Sequence, residues 1–387
     1  MVRDNMSFRK DISFKQETMF RNKKIRGATV YRLKIPLSLT FTISLGSTDF
    51  YDGIIIELHF SEVVGYGEAE TVQQITGETP DALFSISCGI LESMDGQSFE
   101  SIEDISLFIN LFCHGNNAAK SAVDMAFHDA YAKMNGVSVA DLLGGSTRPR
   151  VTSFTIPIGE VNENLKLLDR YQKNGAKIIK VKVGKSVTKD TERLNAIAAN
   201  LADGVTFFAD ANQGYVLTEA VRISQILYRN EALFFEQPMA RDDLVSLKNL
   251  RRKAGIPIML DESISTPRDI LDAVYSDAAD MVNVKLSKSG GIRNAVKTLV
   301  VAQGAGLTAM VGCMLESKLG IAASLSVANS VNNVKYTDLD GFTYLTEQPF
   351  DGGVELRDGT DYPVSGLGLA AKRIENVGTL SDKNENY

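Results

Sequence analysis

An alternation that begins near residue 151 does most to restrict what this chain can fold into. Short apolar runs at 151–157, 178–183, 205–210, 232–236, 257–261, 280–285, 308–312 and 334–338 are separated by helical runs, for example 218–229, 267–275 and 292–305. Alternating strand and helix is the grammar of a parallel sheet. The strand ends recur about every 24 to 28 residues, the period of one supersecondary unit. Eight such strands with seven intervening helices close into a barrel rather than an open sheet. No eighth helix is evident after Asp338.

The region before the barrel reads differently. Residues 29–35 alternate and residues 53–60 are β-branched and apolar, so both read as strands. The Ser/Thr/Gly-rich stretch between them, 38–52, is too long and polar for a hairpin turn and reads as a functional loop. Residues 63–68 form a further strand and turn. From residue 80 to about 143 the pattern is helical, with Ala118, Ala122, Ala126 and Ala130 on one face of 117–135. Strands followed by helices predict an α+β domain. The boundaries expected are an N-terminal extension over 1–26, a capping domain over 27–148, the barrel over 149–345, and a segment over 346–387 that returns to the capping domain.

Active sites of such barrels lie at the C-terminal ends of the strands. Those ends read K-V-K at Lys180 and Lys182, then Asp210, Glu236, Asp261, Lys285, and D-L-D at Asp338 and Asp340. An Asp after a strand is commonly a turn or helix cap. Three acidic ends on adjacent strands are another matter, because like charges repel unless a cation binds between them. Oxygen ligands with room for water and substrate favour Mg²⁺. Lys180 and Lys182, two residues apart, share one strand face. Lys182 on the second strand and Lys285 on the sixth stand opposite each other in an eight-strand ring. One amine can take an α-proton and the other can return a proton on the far face. The enolate formed from a carboxylate needs the metal and a second cation, Lys180. Burial and nearby cations are expected to lower the pKa of the acid/base lysines toward working pH.

From about Gly27 to Ala371 the chain resembles the enolase superfamily, in its muconate-lactonizing subgroup. The resemblance implies an α/β fold, a modified (β/α)7β TIM-like barrel with an α+β capping domain built from both ends of the chain. It implies Asp210, Glu236 and Asp261 as Mg²⁺ ligands, Lys182 and Lys285 as the acid/base pair, and Lys180 beside the enolate. Asn212, Glu262 and Glu316 would support them. D-L-D at Asp338 and Asp340 resembles the dipeptide epimerase signature, where two carboxylates hold the α-ammonium of the substrate. V-G-C-M-L-E-S-K-L-G at 311–320 and I-T-G-E-T at 75–79 also resemble that family, which points to Met314 and Thr76 as substrate-binding. Epimerases that act on alanyl-glutamate carry an arginine in the first capping loop; here the matching residue is Gly46. The second residue of the dipeptide is therefore expected to be neutral or apolar rather than glutamate, with Thr40, Ser44, Phe50 and Tyr51 as further candidates to line that end.

The expected activity is thus a Mg²⁺-dependent dipeptide epimerase, an isomerase. The alternatives are an N-acylamino-acid racemase or o-succinylbenzoate synthase, a muconate-type cycloisomerase, and a non-catalytic binding scaffold. The first two alternatives give D-L-D no purpose, and intact lysines on both sides argue against the third. A net charge of −7 excludes an obvious nucleic-acid or anionic-membrane partner, and no run is long enough to span a membrane. The partner expected is a small dipeptide substrate; the oligomeric state, a homo-oligomer included, is left open. Cys88, Cys113 and Cys313 match no zinc or redox spacing, and His59, His114 and His128 have no partner at ligand spacing, which favours a cytoplasmic protein with structural histidines. The first 26 residues are polar and basic but lack a signal peptide's apolar core, and Asp4, Asp11 and Glu17 count against a transit peptide.

Overall fold

The computed structural model describes residues 8–375 and Val377. Eight parallel strands follow one another in chain order around the barrel: Ser153–Ile156, Ile178–Lys182, Thr206–Asp210, Phe235–Glu236, Ile258–Leu260, Met281–Val284, Thr308–Gly312 and Val334–Asp338. The first and last meet through a parallel bridge between Thr152 and Thr337, so the ring is nearly closed. Each expected strand is present, and most are shorter than expected because their ends bend into the loops. A single 3-10 turn, Gly341–Tyr344, follows the last strand where an eighth helix is missing.

Alternation along each strand decides where side chains go. Ile179 and Val181 face outward into the core beneath the surrounding helices, which leaves Lys180 and Lys182 pointing into the barrel. Below the lysines the barrel interior is filled by Phe208, Phe234, Met259, Met281 and Met310. Phe208 and Phe234 stack with centroids 4.3 Å apart. This apolar plug confines the polar chemistry to the upper end of the barrel.

The capping sheet corrects two expectations. Residues 38–52 are not a loop: strands Lys23–Ile43 and Gly46–Phe60 pair antiparallel into one long hairpin. Its outer half reads as polar because one face meets solvent. On that stretch Leu37, Leu39 and Phe41 pack against the barrel core, and the turn at Ser44 and Leu45 reaches the barrel mouth. Residues 9–20, expected to lie outside the capping domain, form strand Arg9–Phe20 within its sheet, because Ile12 and Phe20 alternate into the core under that sheet. The core's other side is helices Pro80–Glu92, Ile102–Phe112 and Asn117–Met134. Ala118, Ala122, Ala126 and Ala130 are fully buried in the last of these. Strand Val64–Glu70 crosses them so closely that a Cβ at Gly67 would lie 1.9 Å from the Ala122 carbonyl oxygen.

That crossing directs Glu68 and Glu70 toward the barrel. Glu68 accepts hydrogen bonds from the backbone N–H groups of Ser317 (2.7 Å) and Gly320 (3.1 Å), at the start of helix Lys318–Ala328. An acid at a helix N-terminus is favourable, and here it ties cap to barrel. The C-terminal segment returns to the cap, where the Leu369 N–H donates to Asp129 (2.8 Å) and Arg373 pairs with Glu57. Among the described residues no helix is long and apolar enough to cross a membrane.

Candidate active site

Asp210 and Glu236 end the third and fourth barrel strands, Asp261 directly follows the fifth, and all three are fully buried. One carboxylate oxygen from each lies within 4.8 Å of the others. The second oxygen of each is held from outside. The Asn212 N–H donates to Asp210 Oδ1 (2.9 Å), Asn283 Nδ2 to Glu236 Oε1 (2.7 Å), and Lys288 to Asp261 Oδ1. The inner oxygens Glu236 Oε2 and Asp261 Oδ2 lie at ion-pair distance from lysine ammonium groups, yet among the described residues no hydrogen bond is directed at them. Three buried carboxylates, each braced behind and converging in front, fit a hard divalent cation.

The lysines surround this triad. Lys180 Nζ is 3.0 Å from Asp210 Oδ2, 3.0 Å from Glu236 Oε2 and 2.7 Å from Asp338 Oδ2. Lys182 Nζ donates to Asp210 Oδ2 (2.7 Å) and Asn212 Oδ1 (2.9 Å). Lys285, on the opposite side of the ring, is 2.8 Å from Asp261 Oδ2. Lys182 and Lys285 line the same cavity of about 230 Å³.

The site's electrostatics follow from dense charge in a dry place. Burial raises Glu236, with Asp210 adding to it, and its carboxyl stands at about 8. Burial also works to raise Asp210, but Lys180 and Lys182 outweigh it and hold it at about 2. Burial, Asp261 and Asp210 raise Glu262 to about 7. Burial lowers Lys285, yet Asp261 overcomes this, with Glu236 and Asp210, and its ammonium is held above the usual lysine range. That is the reverse of the lowering expected from sequence: here the carboxylates set the direction, and they must be engaged elsewhere before Lys285 can shed its proton.

Asp338 and Asp340 stand at the end of the eighth strand and line the cavity. Asp338 accepts from Ser153 Oγ (2.6 Å) and faces Lys180. Asp340 Oδ2 accepts from the Thr155 N–H (2.7 Å) and the Tyr344 hydroxyl (3.0 Å). Asn212 joins the triad's surroundings to Glu262 by a 3.0 Å hydrogen bond. Among the described residues Glu316 makes no hydrogen bond to them: its Oε1 accepts from the Met314 N–H (3.2 Å), and its carboxyl feels the charges of both Glu68 and Lys285. Gly46, Phe50 and Met314 line the cavity, as do residues 71–75, but Thr76 does not. Thr76 instead donates back to the Val72 carbonyl (3.4 Å). Thr40 turns to Asp49 (2.6 Å), Ser44 to the Asn212 carbonyl (2.7 Å), and Tyr51 is buried in the core.

Sequence reasoning missed Asn283, Lys288, Asp52 and Glu70. Asn283 lies two residues before Lys285 on one strand and so shares its inward face, a signal within reach of simple alternation. Lys288 lies in the short helix Leu286–Ser289 that turns back over Asp261. Asp52 and Glu70 come from capping strands whose reach over the barrel no local pattern reveals.

Residues 164–374 match the family of enolase C-terminal domain-like proteins, and residues 25–144 match the N-terminal domain of mandelate racemase and muconate lactonizing enzymes. The L-Ala-D/L-Glu epimerase of Bacillus subtilis is 33% identical over 85% of this chain and 91% of its own. The hydrophobic dipeptide epimerase of Enterococcus faecalis is 34% identical over 90% of this chain and 98% of its own. The dipeptide epimerase of Cytophaga hutchinsonii, solved with Mg and D-Ala-L-Val, superposes with a TM-score of 0.88 at 31% identity, covering 92% of this chain and 97% of that one. With both domain matches in chain order and relatives matched nearly end to end, the chain belongs to the enolase superfamily, in the muconate-lactonizing subgroup and its dipeptide epimerase family.

Proposed function

We propose that this protein is a Mg²⁺-dependent dipeptide epimerase that inverts the α-carbon of the C-terminal residue by two-base proton transfer. One observation carries the reading: Lys182 and Lys285 enter a single cavity from opposite barrel strands, with three braced carboxylates between them and Asp338 and Asp340 at its side. Asp210, Glu236 and Asp261 would hold Mg²⁺, which supplies the Lewis acidity that makes the α-proton labile. Asp338 and Asp340 hold the α-ammonium group of the substrate. The α-carbon then lies between the two amines. The lysine on one face, as free amine, takes the proton; the other, as ammonium, delivers one to the opposite face, and the roles exchange in the reverse direction. Lys180 meets the negative charge that develops on the enolate oxygens. The dipeptide bound with Mg in the Cytophaga hutchinsonii structure supports the substrate class. A second residue other than glutamate is supported by the cap side of the cavity, where Gly46 leaves no cation. We place the enzyme in the cytoplasm, where its free cysteines stay reduced.

The test is α-proton exchange in D₂O with Mg²⁺ across a dipeptide library. Turnover of N-acyl amino acids with no exchange in any dipeptide overturns the reading. Lys182→Ala and Lys285→Ala should each abolish epimerisation while leaving exchange with one epimer only, the opposite one in each variant. Equal residual epimerisation in both would refute the two-base assignment.

A further inference from the structure

On its capping-domain side the cavity is lined by two acidic residues that the proton transfer does not use. Asp52 and Glu70 line it from adjacent capping strands, on which Gly53 pairs with Glu70. Asp52 is already balanced, since Arg32 Nε lies 3.1 Å from its Oδ1 and Nη2 lies 3.2 Å from its Oδ2. Glu70 is not. It is only 4% exposed, and among the described residues its Oε2 has no hydrogen-bond partner. Burial, then the like charges of Glu316, Asp52 and Glu68, push its carboxyl well above the usual range, against the pull of the Leu315 N–H, and a cation at this end would relieve that. Among the described residues, the three lysines of the reacting centre are the only basic side chains lining the cavity.

We infer that Glu70, backed by Asp52, selects dipeptides that carry a basic side chain, lysine or arginine. This rests on the dipeptide epimerase reading and departs from the neutral or apolar second residue expected from Gly46. The rest of the wall fits a long basic side chain. Phe41, Ile43, Phe50, Val72 and Ile75 offer an apolar path for the methylene stem, and Glu70 meets the charged head. An acidic side chain would face like charge. An apolar one would leave the unpartnered Glu70 oxygen sealed from water.

Arginine and citrulline dipeptides make the sharpest comparison, because they differ in charge and hardly in shape. Exchange in D₂O is measured on the full-length protein with Mg²⁺, with the variable residue placed first and then second. In at least one position arginine should exceed citrulline in kcat/KM by about tenfold or more, the scale of one charged hydrogen bond. Glu70→Gln should reduce that ratio toward one, and Glu70→Lys should turn preference toward L-Ala-L-Glu. Equal rates for arginine and citrulline in both positions overturn the inference without needing any variant to fold. So does a ratio that Glu70→Gln leaves unchanged in a protein whose thermal unfolding matches wild type. Absence of exchange with every dipeptide is a different result, which removes the epimerase reading itself.

Discussion

Asn283 offers the cleanest test of how the carboxylate triad is held. Its Nδ2 donates to Glu236 Oε1 at 2.7 Å, and both side chains are fully buried. Removing it leaves that oxygen free to swing, and no water reaches it cheaply. A hydrogen bond to a charged group is worth about 1.5–3 kcal/mol. At about 1.4 kcal/mol per factor of ten, Asn283→Ala should weaken Mg²⁺ about 10- to 100-fold, the usual range for losing a partner that orients a metal ligand. The assay is isothermal titration of Mg²⁺ into chelator-stripped protein, with thermal unfolding in EDTA as a check on the fold. Asn283→Leu fills the space without restoring the donor and should behave like alanine. Affinity within twofold of wild type in either variant would refute the argument that this amide holds the ligand in place.

Gly312→Ala places a Cβ 2.8 Å from Asn283 Oδ1 and 3.1 Å from Lys285 Cε; overpacking of about 1–3 kcal/mol and a displaced Lys285 should lower kcat at least about tenfold, read by steady-state exchange. Burial, then Asp338, pushes Asp340 up to about 6. Protonated, it cannot hold an ammonium, so kcat/KM for dipeptides should fall about tenfold per pH unit below about 6, and Asp340→Asn should lose that inflection in a pH–rate profile. N-acetylation of a good dipeptide substrate removes the cation facing Asp338 and Asp340; at about 2–5 kcal/mol for an unpaired buried charge, kcat/KM should fall at least about thirtyfold, measured by D₂O exchange.

The barrel was legible because its signal is local and repeated. Each strand end carries its functional residue one or two positions from a turn, so reading the ends in order gathers Lys180, Lys182, Asp210, Glu236, Asp261 and Lys285 without any knowledge of contacts. The capping hairpin was not legible, because its outer half is polar on one side for solvent and apolar on the other for the barrel, and a stretch with so many Ser and Thr residues resembles a loop. The same blind spot hid Asp52 and Glu70, which reach the cavity only through the pairing of two strands across the sheet. Thr76 was misplaced for a related reason: the segment that carries it does approach the site, but it is residues 71–75 that line the cavity.

Charge balance explains why the substrate and the metal belong together in this site. Four buried lysines, Lys180, Lys182, Lys285 and Lys288, face six buried carboxyls, Asp210, Glu236, Asp261, Glu262, Asp338 and Asp340. Fully ionised, the set carries two surplus negative charges, and unpaired charge in a dry interior is costly. A divalent cation removes that surplus. A dipeptide would then add equal and opposite charges at separated points, and in the proposed pose, with its carboxylate toward the metal side and its ammonium toward Asp338 and Asp340, the balance would hold with substrate bound. An N-acyl amino acid would add a negative charge alone and leave the eighth-strand pair without a cation. The lysines proposed as acid and base need this balance as much as the substrate does. Asp261, Glu236 and Asp210 hold Lys285 protonated, and only when their charge is met from elsewhere does a free amine become available to take a proton.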